Sequence, residues 1–128
     1  MEEIDSNFLY KDLTYKIIGV CMEVHKELGK GFSEVVYGDA LEIEFQDNNI
    51  NFIREKSFKI SYKGNILKRT YKADFVIEDK IILEIKAIKI LTTSHIQQTL
   101  NYLAASKLNV GLLINFGEDR LSYKRIVL

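Results

Sequence analysis

Apolar side chains recur at helical spacing near the amino terminus: Leu13, Ile17, Val20, Cys21, Val24 and Leu28. They fall on one side of a 3.6-residue turn, which predicts a helix from about Asn7 to Leu28. Gly29-Lys30-Gly31 stops it. A second helix is expected from Ser33, an N-cap residue type, turning Val36, Tyr37, Ala40, Leu41 and Phe45 inward and ending at Asp47-Asn48-Asn49. The period then drops to two. Phe58, Ile60 and Tyr62 alternate with Lys59 and Ser61, as in a sheet with one wet face. Lys63-Gly64-Asn65 reads as a hairpin turn, after which a return strand reaches Ile77. Glu78-Asp79-Lys80 leads into a third strand over Lys80 to Ala87. Ser94 is expected to cap a helix running to Lys107. Val110 to Phe116 is apolar throughout, which places it centrally in the sheet, and Tyr123 to Val127 reads as an edge strand. The order α, α, β, β, β, α, β, β describes an α/β fold, a mixed sheet with helices packed on its faces.

Composition narrows the class. Hydrophobic residues at 47% and charged residues at 28% are globular values, and 128 residues suffice for one domain, 1–128, with an ordinary core. Proline is absent, so turns rely on Gly, Asn and Asp. No apolar run reaches the roughly eighteen residues of a membrane span, and no basic-then-apolar leader opens the chain. A single Cys21 excludes an internal disulfide and a multi-cysteine zinc site, which points to core packing and a reducing, cytoplasmic setting. The net charge of zero hides an asymmetry. Residues 1–50 carry 11 acids and 4 bases, whereas residues 51–72 carry Glu55 against seven bases: Arg54, Lys56, Lys59, Lys63, Lys68, Arg69 and Lys72. Such a hairpin can grip a polyanion, or its lysines can simply protect a solvated sheet edge.

Three charges stand where the strands are most apolar. Glu84 and Lys86 are two apart and share a strand face, and antiparallel pairing brings Asp74 alongside. Neighbouring carboxylates repel, which raises a pKa or calls for a cation. Mg²⁺ suits such a site because it takes oxygen ligands, one or two of them carboxylates, and keeps its waters. A Lys86 salt bridge to either acid would explain the same residues more simply. Glu34 opens the second helix, as a dipole-favoured charge or as a third acid at the metal. Gln98 and Tyr102 lie one turn apart on one helix face, within reach of water or phosphate unless Tyr102 merely packs.

In that order the residues resemble the PD-(D/E)XK nuclease superfamily and its restriction-endonuclease-like αβββαβ core, with the first helix extra. More narrowly, Gly31, Glu34 and Tyr37 within VHKELGKGFSEVVYGDAL resemble the signature of the GxxExxY protein family. The stretches YKADFVI, ILEIKA, HIQQTLNYL and VGLLINF are similar to that family's as well, so the likeness covers residues 13 to 127. The resemblance implies Asp74, Glu84, the Ile85 carbonyl and Glu34 at a Mg²⁺ or Mn²⁺ ion. It makes Lys86 the water-positioning residue, and matches Gln98 and Tyr102 to the Q-x-x-x-Y feature of RecB-like nucleases. Ala73 replaces the proline that gives the superfamily its name, a residue that is not a ligand. His25, Tyr37 and His95 are candidates for places beside the site, with His95 within reach of phosphate; structural hydrogen bonding, core packing and surface exposure or helix capping are the favoured roles.

The expected function is thus metal-dependent phosphodiester hydrolysis in nucleic acid, with DNA as the expected substrate and Arg54, Lys56, Lys59, Lys68, Arg69 and Lys72 holding its backbone. A catalytically quiet nucleic-acid-binding or protein-interaction module with the same fold is the alternative. A homodimer or partner protein could dock on the first helix.

Overall fold

The computed structural model describes residues 9–128, so the expected first helical residues, 7–8, lie outside the described residues. Helices α1 (Lys11–Leu28) and α2 (Glu34–Asp47) precede strands β1 (Phe52–Tyr62), β2 (Asn65–Ile77) and β3 (Ile81–Lys86). Helix α3 (Thr93–Ser106), β4 (Val110–Asn115) and β5 (Ser122–Val127) complete the order. The sheet runs β1-β2-β3-β4-β5. Only β3 and β4 pair in parallel, joined by the α3 crossover, and the other neighbours are antiparallel. This is a mixed α/β, restriction-endonuclease-like fold.

Sequence and structure agree on the order of the elements and differ at two helix starts. Leu9 and Tyr10, expected in the first helix, form a turn with Tyr10 at a left-handed φ of 57°, so α1 begins at Lys11. Thr92, not Ser94, opens α3. The Thr92 N–H donates to Nδ1 of His95 at 3.0 Å, so His95 satisfies a donor that Glu or Gln usually takes at that position. An imidazole in this role lacks the familiar sequence signature.

Two cores flank the sheet. Ile17, Cys21, Tyr37, Leu41 and Phe45 of α1 and α2 meet Phe75, Ile77, Leu83, Ile85, Leu112 and Ile114. Beneath α3, Leu103 packs with Tyr71, Ala73, Val76, Ile82 and Leu113. Burial pushes the Cys21 thiol pKa up, which keeps it protonated and inert. Strict alternation along β2 would put Tyr71, Ala73, Phe75 and Ile77 on one face, but Tyr71 and Ala73 join the α3 side while Phe75 and Ile77 join the other. The same switch divides β1, where Phe52 packs towards α2 and Phe58 and Ile60 towards α3. It happens at Asp74 and, opposite it, Glu55, whose φ of 56° is left-handed. The hairpin thus wrings itself at the position of the conspicuous acid. Among the described residues no helix is long and apolar enough to cross a membrane.

Candidate active site

Asp74 and Glu84 meet where the β2–β3 ladder ends. Regular pairing covers Phe75 with Leu83, Val76 with Ile82 and Ile77 with Ile81. One step further, side chains take over from the backbone: the Asp74 N–H donates to Oε2 of Glu84 at 3.1 Å, and the Ile85 N–H donates to Oδ2 of Asp74 at 2.7 Å. Each carboxylate satisfies a main-chain donor that the splayed strands leave without a carbonyl partner. This reciprocal pair fixes both acids.

Glu84 is buried, and its Oε1 accepts the hydroxyl of Tyr71, also buried. Burial first, and then the neighbouring Asp74 charge, push the Glu84 pKa up to about 8. The Tyr71 hydroxyl is held protonated by its own burial and by Glu84. Tyr102 stacks on Tyr71 with ring centroids 3.5 Å apart and planes 10° from parallel. Burial, then Glu84 and Asp74, raise the Tyr102 pKa against the opposing hydrogen bond from Gln98. The Gln98 and Tyr102 face of α3 therefore covers the Tyr71–Glu84 contact.

Lys86 is half-buried, two residues beyond Glu84 on the same strand face. Among the described residues it joins no ion pair, so a Lys86 salt bridge is not what holds the acids in the sheet. Its strand exit is fixed from behind. Asn115, fully buried, accepts the Ile88 N–H through Oδ1 at 3.0 Å and donates through Nδ2 to the Ile88 carbonyl at 2.9 Å. On the other side of Asp74 a pocket of about 90 Å³ is lined by Glu34, Gly38, Arg54, Glu55, Asp74 and Ile85 among others. Glu34 thus shares a pocket with Asp74.

A family profile describing the PD-(D/E)XK nuclease superfamily matches residues 11–126. The chain belongs to that superfamily. No match to a curated protein is found. Among solved structures, SSO0001 is similar at 25% identity with a TM-score of 0.57; the likeness covers 73% of this chain, which spans 50% of that protein. PD-(D/E)XK members are mostly nucleases and generally use divalent metals.

The donors here suit a hard divalent cation, with one qualification of geometry. Two carboxylates, one with its pKa raised by burial and by its neighbour, are an arrangement that a cation relieves. Among the described residues no three His, Cys, Asp or Glu side chains converge on one point, so Glu34 does not close a three-acid cage with Asp74 and Glu84. A two-carboxylate PD-(D/E)XK site completed by water and phosphate is within the habits of Mg²⁺.

The remaining candidates separate clearly. His25 is buried and donates from Nε2 to the Glu118 carbonyl at 3.0 Å, tying α1 to the turn after β4. Tyr37 is fully buried, donates to the Gly29 carbonyl at 2.6 Å and stacks on Phe116. Lys59, Lys68, Arg69 and Lys72 are exposed, and half-buried Lys56 lies over the Phe58 ring. Arg54 departs from that group. Its guanidinium turns to α2, pairs with Asp39 at 2.6 Å, and lies so close to Gly38 that a Cβ there would meet Nη2 at 2.5 Å. It braces β1 against α2 and does not face outward with the lysines. Glu55 and Tyr71 are the residues that alternation did not single out; Glu55 signalled itself only as the lone acid in a basic segment.

Proposed function

We propose that the chain is a divalent-metal-dependent nuclease domain that hydrolyses phosphodiester bonds in nucleic acid, with DNA as the substrate. The observation that carries this reading is the reciprocal Asp74–Glu84 pair at the opened end of the β2–β3 ladder, with Lys86, in no ion pair among the described residues, on the Glu84 face. Asp74 and Glu84 would hold Mg²⁺ or Mn²⁺, with the Ile85 carbonyl beside them and Glu34 reaching the site through water. A bound divalent ion supplies electrostatic stabilisation of the phosphate and acidifies water. Lys86 orients the attacking water and offsets charge building on phosphorus oxygens. Gln98 and Tyr102 keep Tyr71, and through it Glu84, in place, and the exposed lysines of the β1–β2 hairpin steer the polyanion.

Within the superfamily we place the chain in the GxxExxY group. Gly31, at φ 111°, turns the chain so that Glu34 opens α2 beside the Asp74 pocket, and Tyr37 pins that turn through Gly29. The engagement of both Glu84 oxygens, by Tyr71 and by the Asp74 N–H, favours a second reading: a catalytically quiet nucleic-acid-binding module.

Calorimetry with Mn²⁺ on wild type and Asp74→Ala, together with cleavage of supercoiled plasmid and single-stranded DNA, separates the two. Wild type is expected to bind metal and cut, Asp74→Ala to do neither, and Lys86→Ala to bind without cutting. Folded wild type with no Asp74-dependent binding would exclude the nuclease.

A further inference from the structure

We propose that the groove between the β1–β2 hairpin and α3 is a track for a single-stranded segment of nucleic acid leading to the acid pair. The inference rests on the nuclease reading and names its substrate class. The groove encloses about 850 Å³. Phe58, Ile60 and Ile66 give it apolar walls, Lys59 and Lys107 contribute ammonium groups, and Ala104 is among the small residues that leave it open. Among the described residues no Asp or Glu lines it, in a chain with 18 acids and no net charge.

That lining suits a ligand with flat apolar faces on an anionic backbone. A single strand exposes its base faces, whereas a duplex buries them in its own stack. The groove borders the candidate active site through two packed contacts. Phe58 stacks on Tyr71 at 6.0 Å between centroids, and Tyr71 donates to Glu84. On α3, Gln98, Tyr102 and Ala105 follow one another at i, i+4 and i+7, so the helix face that covers Tyr71 continues into the groove wall. A strand bound there would run along α3 towards Lys86 and the acids, with its phosphates near Lys59 and Lys107.

Fluorescence anisotropy tests this on the full chain carrying Lys86→Ala, without divalent metal, so that cleavage does not intervene. The probes are a labelled oligothymidylate and a labelled duplex of equal length. The single strand is expected to bind about tenfold or more tighter than the duplex, with affinity falling as salt rises. Adding Lys59→Glu, or Ala104→Glu at an exposed helix position, should cost roughly tenfold, while Lys26→Glu on α1 stays within about twofold. Melting curves confirm that each variant is folded, and the two groove variants sit on different elements, so one misfolded protein does not remove the test. Duplex binding as tight as the single strand overturns the proposal. So do folded groove variants that bind like their parent, or a concentration-dependent dimer that the same variants abolish, which would make a second copy the occupant. Cleavage of the oligothymidylate by wild type with Mn²⁺ is scored separately. Its absence, with groove-dependent binding intact, counts against the nuclease reading and leaves the track standing; cleavage indifferent to the groove does the reverse.

Discussion

Glu84 shows how much one residue's surroundings can demand. Its pKa is pushed up to about 8 by burial and by Asp74, far above a solvated glutamate. The folded state therefore binds a proton that the unfolded state has already released between the two pKa values. Stability from this group is complete below the ordinary glutamate range and is lost as pH rises towards about 8. In metal-free protein the melting temperature of wild type, relative to Glu84→Gln, should fall between pH 5 and pH 8. Thermal scans at both pH values check this, and a difference independent of pH would sink it. Mn²⁺ at pH 8 should recover the loss in wild type and not in Glu84→Gln. Tyr71 is the partner through which the same pocket is held. Tyr71→Phe keeps the rings that stack on Phe58 and Tyr102 but removes the hydroxyl donated to a buried carboxyl. A loss of about 1–3 kcal/mol is expected in urea unfolding. A neutral result would mean that water replaces the phenol.

Among the elements, the two β-strands of the hairpin explain what the sequence showed and what it hid. Period-two alternation correctly put Glu84 and Lys86 on one face and brought Asp74 beside them, because β3 is regular through Leu83 and Ile85. It could not reveal Tyr71 as the partner of Glu84 or Glu55 as a neighbour of Asp74. Both depend on the face switch at Glu55 and Asp74, a break in alternation that local residue types do not announce. The α3 cap was misplaced for a related reason, since His95 fills a role written in the sequence by other residues. The chain after β3 is likewise set by a distant side chain. Asn115 bonds both the N–H and the carbonyl of Ile88, and its Oδ1 also accepts the Gly117 N–H at 3.0 Å. Asn115→Ala strands those partly buried groups and frees the segment that follows Lys86. Stability should drop by about 1–3 kcal/mol, and amide exchange should quicken at Ile88 before it does in β4. Exchange unchanged at Ile88 would show that other contacts fix the turn.

For the molecule as a whole, zero net charge conceals a division of labour between cations. The basic excess in residues 51–72 is visible in the sequence, but its direction is not. Arg54 belongs to that segment by position and to α2 by contact, paired with Asp39 and set against Gly38. Lys68 and Arg69, by contrast, are exposed on β2. A phosphate contact releases counterions, so the dependence of affinity on salt counts the cations that touch the backbone. Replacing Lys68 and Arg69 together by Gln should reduce the logarithmic salt slope for a single strand by roughly 1–1.5, at about 0.7 per lost contact. Arg54→Ala should leave that slope unchanged and instead lower the melting temperature, because it removes the brace between β1 and α2. Anisotropy titrations at several salt concentrations, beside thermal scans, read both effects. A slope that falls with Arg54→Ala and not with the double variant would reverse the assignment, making Arg54 the phosphate contact and Lys68 and Arg69 solvent-facing protection of the sheet.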